Sequence, residues 1–292
     1  MFLSCMVSVV VIYLVFPQFR DLFLHELKVK SSIIGILSIK TQVMGLLFGG
    51  TLIFILGLID DKKSVQALTK LLVQIIAAYC VMDFGVRISA ISLPGKEPYS
   101  FPIIISQVIT LLWILGFMNT INLADGLDGL AAGIVTIAAG TFFIVSLLQS
   151  KIYDTLAYQL QLSAILSIIL CGVTLGFLFF NFSPAKVFMG DSGALFLGFM
   201  LSTISILGTL KTTALIALFI PVIIVGLPIL DVILSMYRRF SRGGNLMQPD
   251  KEHIHHRLLK LGLSQREVVL FIYVITLILS IIAITITALR IL

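Results

Sequence analysis

Asn119, Asn122, Asp125 and Asp128 recur every third residue in NTINLADGLDGLAAG (residues 119–133), inside an otherwise apolar part of the chain. An ionisable group at membrane depth costs at least ~2.5 kcal/mol even on the lowest scales, so such a cluster is read first as a functional site. Amides and carboxylates at this spacing can orient a polar ligand or face a cation. Asp60 and Asp61 end a second apolar run, GLIDDKKS. Two adjacent carboxylates resist ionising together unless a cation neutralises them. Mg²⁺, a hard ion that takes oxygen ligands and often shares them with phosphates, suits the pair. A helix end in headgroup water, with Lys62 and Lys63 as counter-charges, would use the same residues. In VFMGDSGALFLG (residues 187–198), Asp191 opens a span between Gly190 and Gly193. Glycines there expose backbone N–H groups at a helix N-terminus, which is a ready phosphate site. A carboxylate in the same place either needs a metal between itself and phosphate or serves as an N-cap. Phe188 lies just outside this helix start, able to stack on a planar ring or to pack at a membrane interface.

A fourth cluster is HIHHRL, with His253, His255, His256 and Arg257. His253 shares a helical face with both His256 and Arg257. No cysteine adjoins it and the HExxH spacing of zinc proteases is absent, so zinc is the poorer reading. A cluster of His, Arg and Lys set opposite acids fits phosphate binding. Asp231, in GLPILDVIL after Pro221 and Pro228, either joins the site or pairs with Arg238 or Arg239, and the structural role is the preferred reading. Cys5, Cys80 and Cys171 lie within apolar runs without metal-ligand spacing and read as small buried hydrophobes.

The elements that must position these groups are membrane helices. Of the 292 residues, 59% are hydrophobic and 12% charged, against about 25% charged in a soluble domain. Apolar runs near 1–17, 41–59, 65–82, 103–118, 123–148, 160–180, 190–208, 212–236 and 267–289 suggest about nine transmembrane helices. The expected fold is all-α, a polytopic helix bundle forming one domain over 1–292, with a long loop at 237–266. Nine spans put Asp60–Lys63, Asn119–Leu123, Asn181–Gly190 and Tyr237–Arg266 on the same side of the membrane. The basic residues of the 237–266 loop place that side in the cytoplasm. Within that loop, KEHIHHRLLKLG reads as a short helix closed by Gly262. A straight helix turns half a revolution from Asn119 to Asp128, so the four groups would not share a face. A regular helix is therefore expected to begin near Leu123, with Asn119–Asn122 in an irregular turn lining a cavity. The net charge of +6 is spread between apolar runs, which favours lipid headgroups or an anionic substrate over nucleic acid. No cleavable signal is evident.

Together the motifs LGLIDD, NTINLADGLDGLAAG, FMGDSGALFLG and HIHHRL, in this order over residues 57–258, resemble those of the polyprenyl-phosphate N-acetylhexosamine-1-phosphate transferases. The last resembles the bacterial UDP-GlcNAc branch. Phospho-MurNAc-pentapeptide transferases instead tend to carry a PIHHHFE-type segment. The resemblance implies that undecaprenyl phosphate attacks the β-phosphorus of a UDP-N-acetylhexosamine. UMP leaves, and a polyprenyl-diphospho-sugar starts an envelope polysaccharide such as lipopolysaccharide or teichoic acid. It implies Mg²⁺ (Mn²⁺ as a substitute), with Asp191 and Asp61 as metal ligands and Asp60, Asp61 and Asp191 as catalytic acids. Asp60 is the one expected to act on the lipid phosphate. Asn119, Asn122, Asp125, Asp128, Phe188, Lys70, His253, His255, His256 and Arg257 are the implied nucleotide- and substrate-binding residues.

The implied location is the inner (plasma) membrane, with the site facing the cytoplasm, and a homodimer is left open. The family pattern includes a further span and a PRxGG-type loop upstream of the point where this chain starts. A misassigned start, a fragment and an inactive copy all accommodate that departure. Other readings of the same residues are UDP-MurNAc-pentapeptide as donor, a transporter that couples its buried acids to ions, or a degenerate scaffold.

Overall fold

The computed structural model describes residues 1–15, 22, 26–27, 37–91, 99–151, 157–208, 221–223, 225–226, 228–231, 234 and 254–289. The apolar runs become helices α1 (Phe2–Val15), α2 (Ile39–Lys62), α3 (Ala67–Asp83), α4 (Ile103–Ala124), α5 (Leu130–Ser150), α6 (Ala157–Asn181) and α7 (Gly190–Gly208). Near the C-terminus follow α8 (Ile254–Lys260) and α9 (Gln265–Ala288). Two short antiparallel ladders complete the described elements. β1 (Glu26–Leu27) pairs with β2 (Leu37–Ser38), Glu26 opposite Ser38. β3 (Ala90–Ile91) pairs with β4 (Tyr99–Ser100), Ala90 opposite Ser100.

Among the described residues, α2, α4, α5, α6, α7 and α9 are long and apolar enough to cross a membrane. The chain is thus a multi-span helical membrane protein. The expected spans at 1–17 and 65–82 appear as the shorter helices α1 and α3. The one at 212–236 lies mostly outside the described residues.

The bundle is built around α7. It packs against α2, α4, α5 and α6, and every residue from Gly193 to Gly208 is buried. It is also the least hydropathic of the six spans, whereas α9, the most hydropathic, is the least buried. That order is opposite to the soluble one and follows from the solvent. Lipid faces must be apolar, while helix interfaces take small and polar residues that allow close packing. The hydroxyls on α7 are satisfied locally. Ser202 Oγ donates to Phe199 O at 2.7 Å, Thr203 Oγ1 to Phe199 O at 2.9 Å and Ser205 Oγ to Ser202 O at 2.6 Å. Ser205 also accepts from Trp113 Nε1 of α4 at 2.9 Å.

The boundary between α4 and α5 differs from the expected one. α4 runs through Asn119 and Asn122 to Ala124, and α5 begins at Leu130 rather than near Leu123. The irregular stretch is therefore Asp125–Gly129. Asn119 has no reason to leave the helix, because its amide donates to Leu115 O at 2.8 Å and to Gln74 Oε1 of α3 at 3.0 Å. The break falls where the sequence supplies turn chemistry. Gly129 has φ +82°, a left-handed conformation that a residue with a Cβ adopts only under strain. The side chains of Asp128 and Asn181 bind backbone N–H groups around the turn. The short helix expected in the 237–266 loop is α8, and Gly262, at φ +94°, follows its end.

α2 and α7 touch backbone to backbone beside the acid pair. A Cβ on Gly57 would lie 2.2 Å from Ser192 Cα and 2.5 Å from Ser192 N. Overpacking a tight interface costs about 1–3 kcal/mol. Gly57→Ala should therefore lower the apparent Tm in detergent by several degrees. Gly116→Ala, which meets nothing within 4 Å, should not. Equal Tm values for the two variants would refute the close approach.

Candidate active site

The ends that carry chemistry meet at one end of the bundle: the C-termini of α2, α4 and α6 and the N-termini of α3, α5, α7 and α9. Hydrogen bonds and ion pairs connect them. Lys70, one turn into α3, places its ammonium between Asp60 of α2 and Asp191 of α7. It pairs with Asp60 Oδ2 and reaches Asp191 Oδ2 at 2.6 Å. Asp60 is the more enclosed acid, with 8% of its side chain exposed against 33% for Asp191. The second oxygen of each acid is also used. Asp60 Oδ1 accepts from Val65 N at 2.7 Å, and Asp191 Oδ1 accepts from Asn122 Nδ2 at 3.0 Å. Two consecutive helices and α7, far along the chain, thus meet on one ammonium, and Asn122 brings α4 to the same carboxylate.

Asp61 does something different. Successive residues on a helix point about 100° apart, so the two adjacent acids face different neighbours. Asp61 Oδ1 accepts from Asp191 N at 2.7 Å and Oδ2 from Ser192 N at 3.2 Å. The backbone N–H groups at the start of α7, expected to be open to phosphate, are filled by this carboxylate. A negative charge there is favourable, since a helix N-terminus carries about half a positive charge.

Beside the acids lies a cavity of about 310 Å³, lined by Asp125, Gly126, Leu127, Asp128, Asn181, Phe188, Met189 and Gly190. That volume is at the small end of the ligand-pocket range of about 300–1,000 Å³. Its two walls are the Asp125–Gly129 turn and the segment after α6. Asp128 Oδ2 accepts from Ala185 N at 3.0 Å. Asn181 Oδ1 accepts from Gly129 N at 3.1 Å, while its Nδ2 donates to Val187 O at 2.9 Å. Asp128 thereby ties the walls together as well as lining the space. Phe188 stands 75% exposed at the rim among the described residues.

Asp125 is the acid with room to act. It accepts no hydrogen bond from the described residues, and burial, followed by the charges of Asp191, Asp128 and Asp61, pushes its carboxyl from 3.8 up to about 7. Asp60, Asp61, Asp125, Asp128 and Asp191 thus gather at this end of the bundle, with Lys70 bridging two of them, an excess of negative charge in a partly desolvated place. Hard oxygen donors in excess fit a hard divalent cation. As placed, no three His, Cys, Asp or Glu residues among the described ones converge closely enough to hold a metal.

The structure brings together Asp60, Asp61, Lys70, Asn122, Asp125, Asp128, Phe188 and Asp191. Asn119 it places at the α3–α4 interface, bonded to Gln74. His253 lies outside the described residues. For His255 and His256 the helical backbone of α8 is described, and Arg257 on the same helix is exposed. Asp231 is half-buried, and its expected partners Arg238 and Arg239 lie outside the described residues. Sequence reasoning missed Gln74 and Asn181. Gln74 follows Lys70 by four residues and so shares its helical face, a usable signal. Asn181 is a buried amide closing an otherwise apolar helix, which is a weaker one.

The profile of glycosyl transferase family 4 matches residues 43–209, which span α2 to the end of α7 and every acid of the site. The chain belongs to this family. Similar relatives include the probable undecaprenyl-phosphate N-acetylglucosaminyl 1-phosphate transferase of Bacillus subtilis (strain 168). It is 42% identical over 245 residues, covering 84% of this chain and 66% of the relative. The decaprenyl-phosphate N-acetylglucosaminephosphotransferase of Mycobacterium leprae is 40% identical over 242 residues, covering 78% of this chain and 60% of the relative. A phospho-N-acetylmuramoyl-pentapeptide-transferase of Bacillus licheniformis is 36% identical over 246 residues, covering 79% and 70%. The chain therefore spans less than two thirds of the length of the first two.

The Asp125 shift gives this family 4 chain a measurable pH signature. The folded state holds the Asp125 proton more tightly than the unfolded chain between its ordinary value of 3.8 and about 7. Stability must then fall as pH rises across that interval and stay lowered above it. In a chelator, Asp125→Asn should melt at a higher temperature than wild type at pH 8 and converge with it near pH 4. A difference that does not change with pH would contradict the shift.

Proposed function

We propose that this chain transfers N-acetylhexosamine-1-phosphate, GlcNAc-1-phosphate in the first instance, from a UDP-sugar to undecaprenyl phosphate, with release of UMP. The observation that carries this reading is the Lys70-bridged pair Asp60 and Asp191 opening beside the Asp125–Gly190 cavity. Phosphoryl transfer needs positioning and neutralisation of charge more than covalent machinery, and both are present there. The relatives named for N-acetylglucosaminyl phosphate transfer, at 42% and 40% identity, favour GlcNAc over the muramoyl-pentapeptide donor at 36%.

In this reading the uracil stacks on exposed Phe188 and the nucleotide occupies the cavity between the two walls. The histidines and Arg257 of the 237–266 loop meet the diphosphate. Asp60, more enclosed than Asp191, takes the proton of the lipid phosphate. Lys70 holds that carboxylate ionised and meets the phosphate oxygens when they enter. Mg²⁺, with Mn²⁺ as a substitute, would supply neutralisation of the diphosphate and the departing UMP. Asp191 would hold it. Asp61, both of whose oxygens accept from the α7 backbone, orients Asp191 instead of offering a ligand. The helix ends that carry the site face the cytoplasm, where UDP-sugars are made, in the inner (plasma) membrane. About nine spans and a single transferase domain complete this picture, with the product starting an envelope polysaccharide such as lipopolysaccharide or teichoic acid.

The test is UMP release by the purified protein from UDP-GlcNAc and undecaprenyl phosphate with Mg²⁺. Asp60→Asn and Asp191→Asn should each lower turnover by at least about 100-fold, the scale of a lost acid–base group, a loss far larger than any fall in folded protein read from the apparent Tm. Asp61→Ala should lower turnover and Tm together, because it uncaps α7. Turnover that survives Asp191→Ala would sink the metal assignment. A protein that releases UMP from no UDP-sugar would sink the reaction.

A further inference from the structure

The helix that enters the bundle after the histidine loop also touches both walls of the cavity. α9 begins at a capping box: Glu267 Oε2 accepts from Ser264 N at 2.7 Å, and Ser264 Oγ accepts from Glu267 N at 3.4 Å. This fixes the first turn of α9. From that turn Arg266 Nε donates to Ser183 O at 2.7 Å, in the segment between Asn181 and Phe188. Two turns further along, Tyr273 Oη donates to Gly129 O at 2.5 Å, at the end of the Asp125–Gly129 turn. The Tyr273 ring lies where a side chain on Gly133 would be, since a Cβ there would sit 1.9 Å from both Cζ and Oη of the tyrosine. The first turn of α5 is thus cut away to admit it.

Gly129 is held at both ends of its peptide unit. Its N–H donates to Asn181 Oδ1 and its carbonyl accepts from Tyr273. As the N-cap of α5, Gly129 also accepts from Gly133 N at 2.9 Å, so Tyr273 and Asn181 hold the side of the turn that faces the cavity walls. We infer that Tyr273 and Arg266 are positioning residues of the nucleotide pocket, and that α9 fastens the two pocket walls at a fixed separation. The inference rests on reading the cavity as the site of the uridine nucleotide. Neither side chain lines the cavity, so their effect passes through Gly129 and Ser183. Because α8 and α9 are joined by the short Leu261–Ser264 connection, the same helix also sets where the histidine segment stands relative to that pocket.

Direct binding of UDP-GlcNAc and of UMP to the purified chain, by calorimetry in detergent, tests this without turnover. Each lost hydrogen bond should weaken binding about three- to tenfold in Tyr273→Phe and in Arg266→Met. Arg266→Lys, which keeps a donor, should recover part of the loss. Lys260→Gln, which removes a charge from α8 without touching either wall, should leave the nucleotide Kd unchanged. In the UMP-release assay the two clamp variants should raise KM for UDP-GlcNAc more than they lower kcat. A merely structural role would lower the active fraction and hence kcat alone. Wild-type protein that binds neither nucleotide overturns the donor-site reading and this inference with it. Wild-type binding that persists unchanged in both Tyr273→Phe and Arg266→Met overturns the inference alone.

Discussion

One ammonium between two carboxylates sets the arrangement of this protein. Lys70 joins Asp60 to Asp191, and with them the ends of α2, α3 and α7. Breaking a partly buried ion pair by removing one partner leaves an uncompensated charge, which costs about 3–5 kcal/mol when the burial is deep. A bundle packed largely through apolar contacts has few features that fix the relative height of its helices. A charge triad does, because sliding any one helix by a turn would separate it from the other two. Asn122 and the backbone of α7 then build on the same register.

The arrangement also explains why an acid-rich site tolerates being half-buried. Each carboxylate has a separate accommodation. Asp60 and Asp191 share a cation, Asp61 sits on a helix N-terminus, and Asp128 accepts a backbone N–H. Asp125 has none of these among the described residues, and its raised affinity for a proton expresses that. Each acid is thus partnered except Asp125, where the cavity opens. An arriving anion with its own counter-ion meets one unsatisfied acid and a fixed framework around it.

Much of this was legible in the sequence because membrane helices punish stray polar residues. In a chain with 12% charged residues, Asp60, Asp61, Asp125, Asp128 and Asp191 stood out without any knowledge of their neighbours. Counting apolar runs was enough to gather their loops on one side. What sequence could not decide is direction at short range. That Asp60 would face Lys70 while Asp61 caps α7 depends on the rotation of α2 about its axis, which no local pattern encodes. The break in the polar stretch was placed at Asn119–Asn122 because four groups could not share a helical face. The structure keeps those asparagines helical and lets tertiary partners, Gln74 and Asp191, satisfy them. Tyr273 left no trace at all, since a tyrosine in an apolar helix looks like any other membrane aromatic until Gly133 is found beneath it.

The composition of α7 has a consequence for how the molecule is made. It is the least apolar of the six spans, it carries Asp191 at its head, and its place is secured by α2, α4, α5 and α6. All four precede it along the chain. During synthesis from the N-terminus, the groove that receives α7 can therefore exist before the helix that fills it has left the ribosome. The acid at the centre of the site enters a frame already built, and the span least suited to lipid never has to wait there without partners.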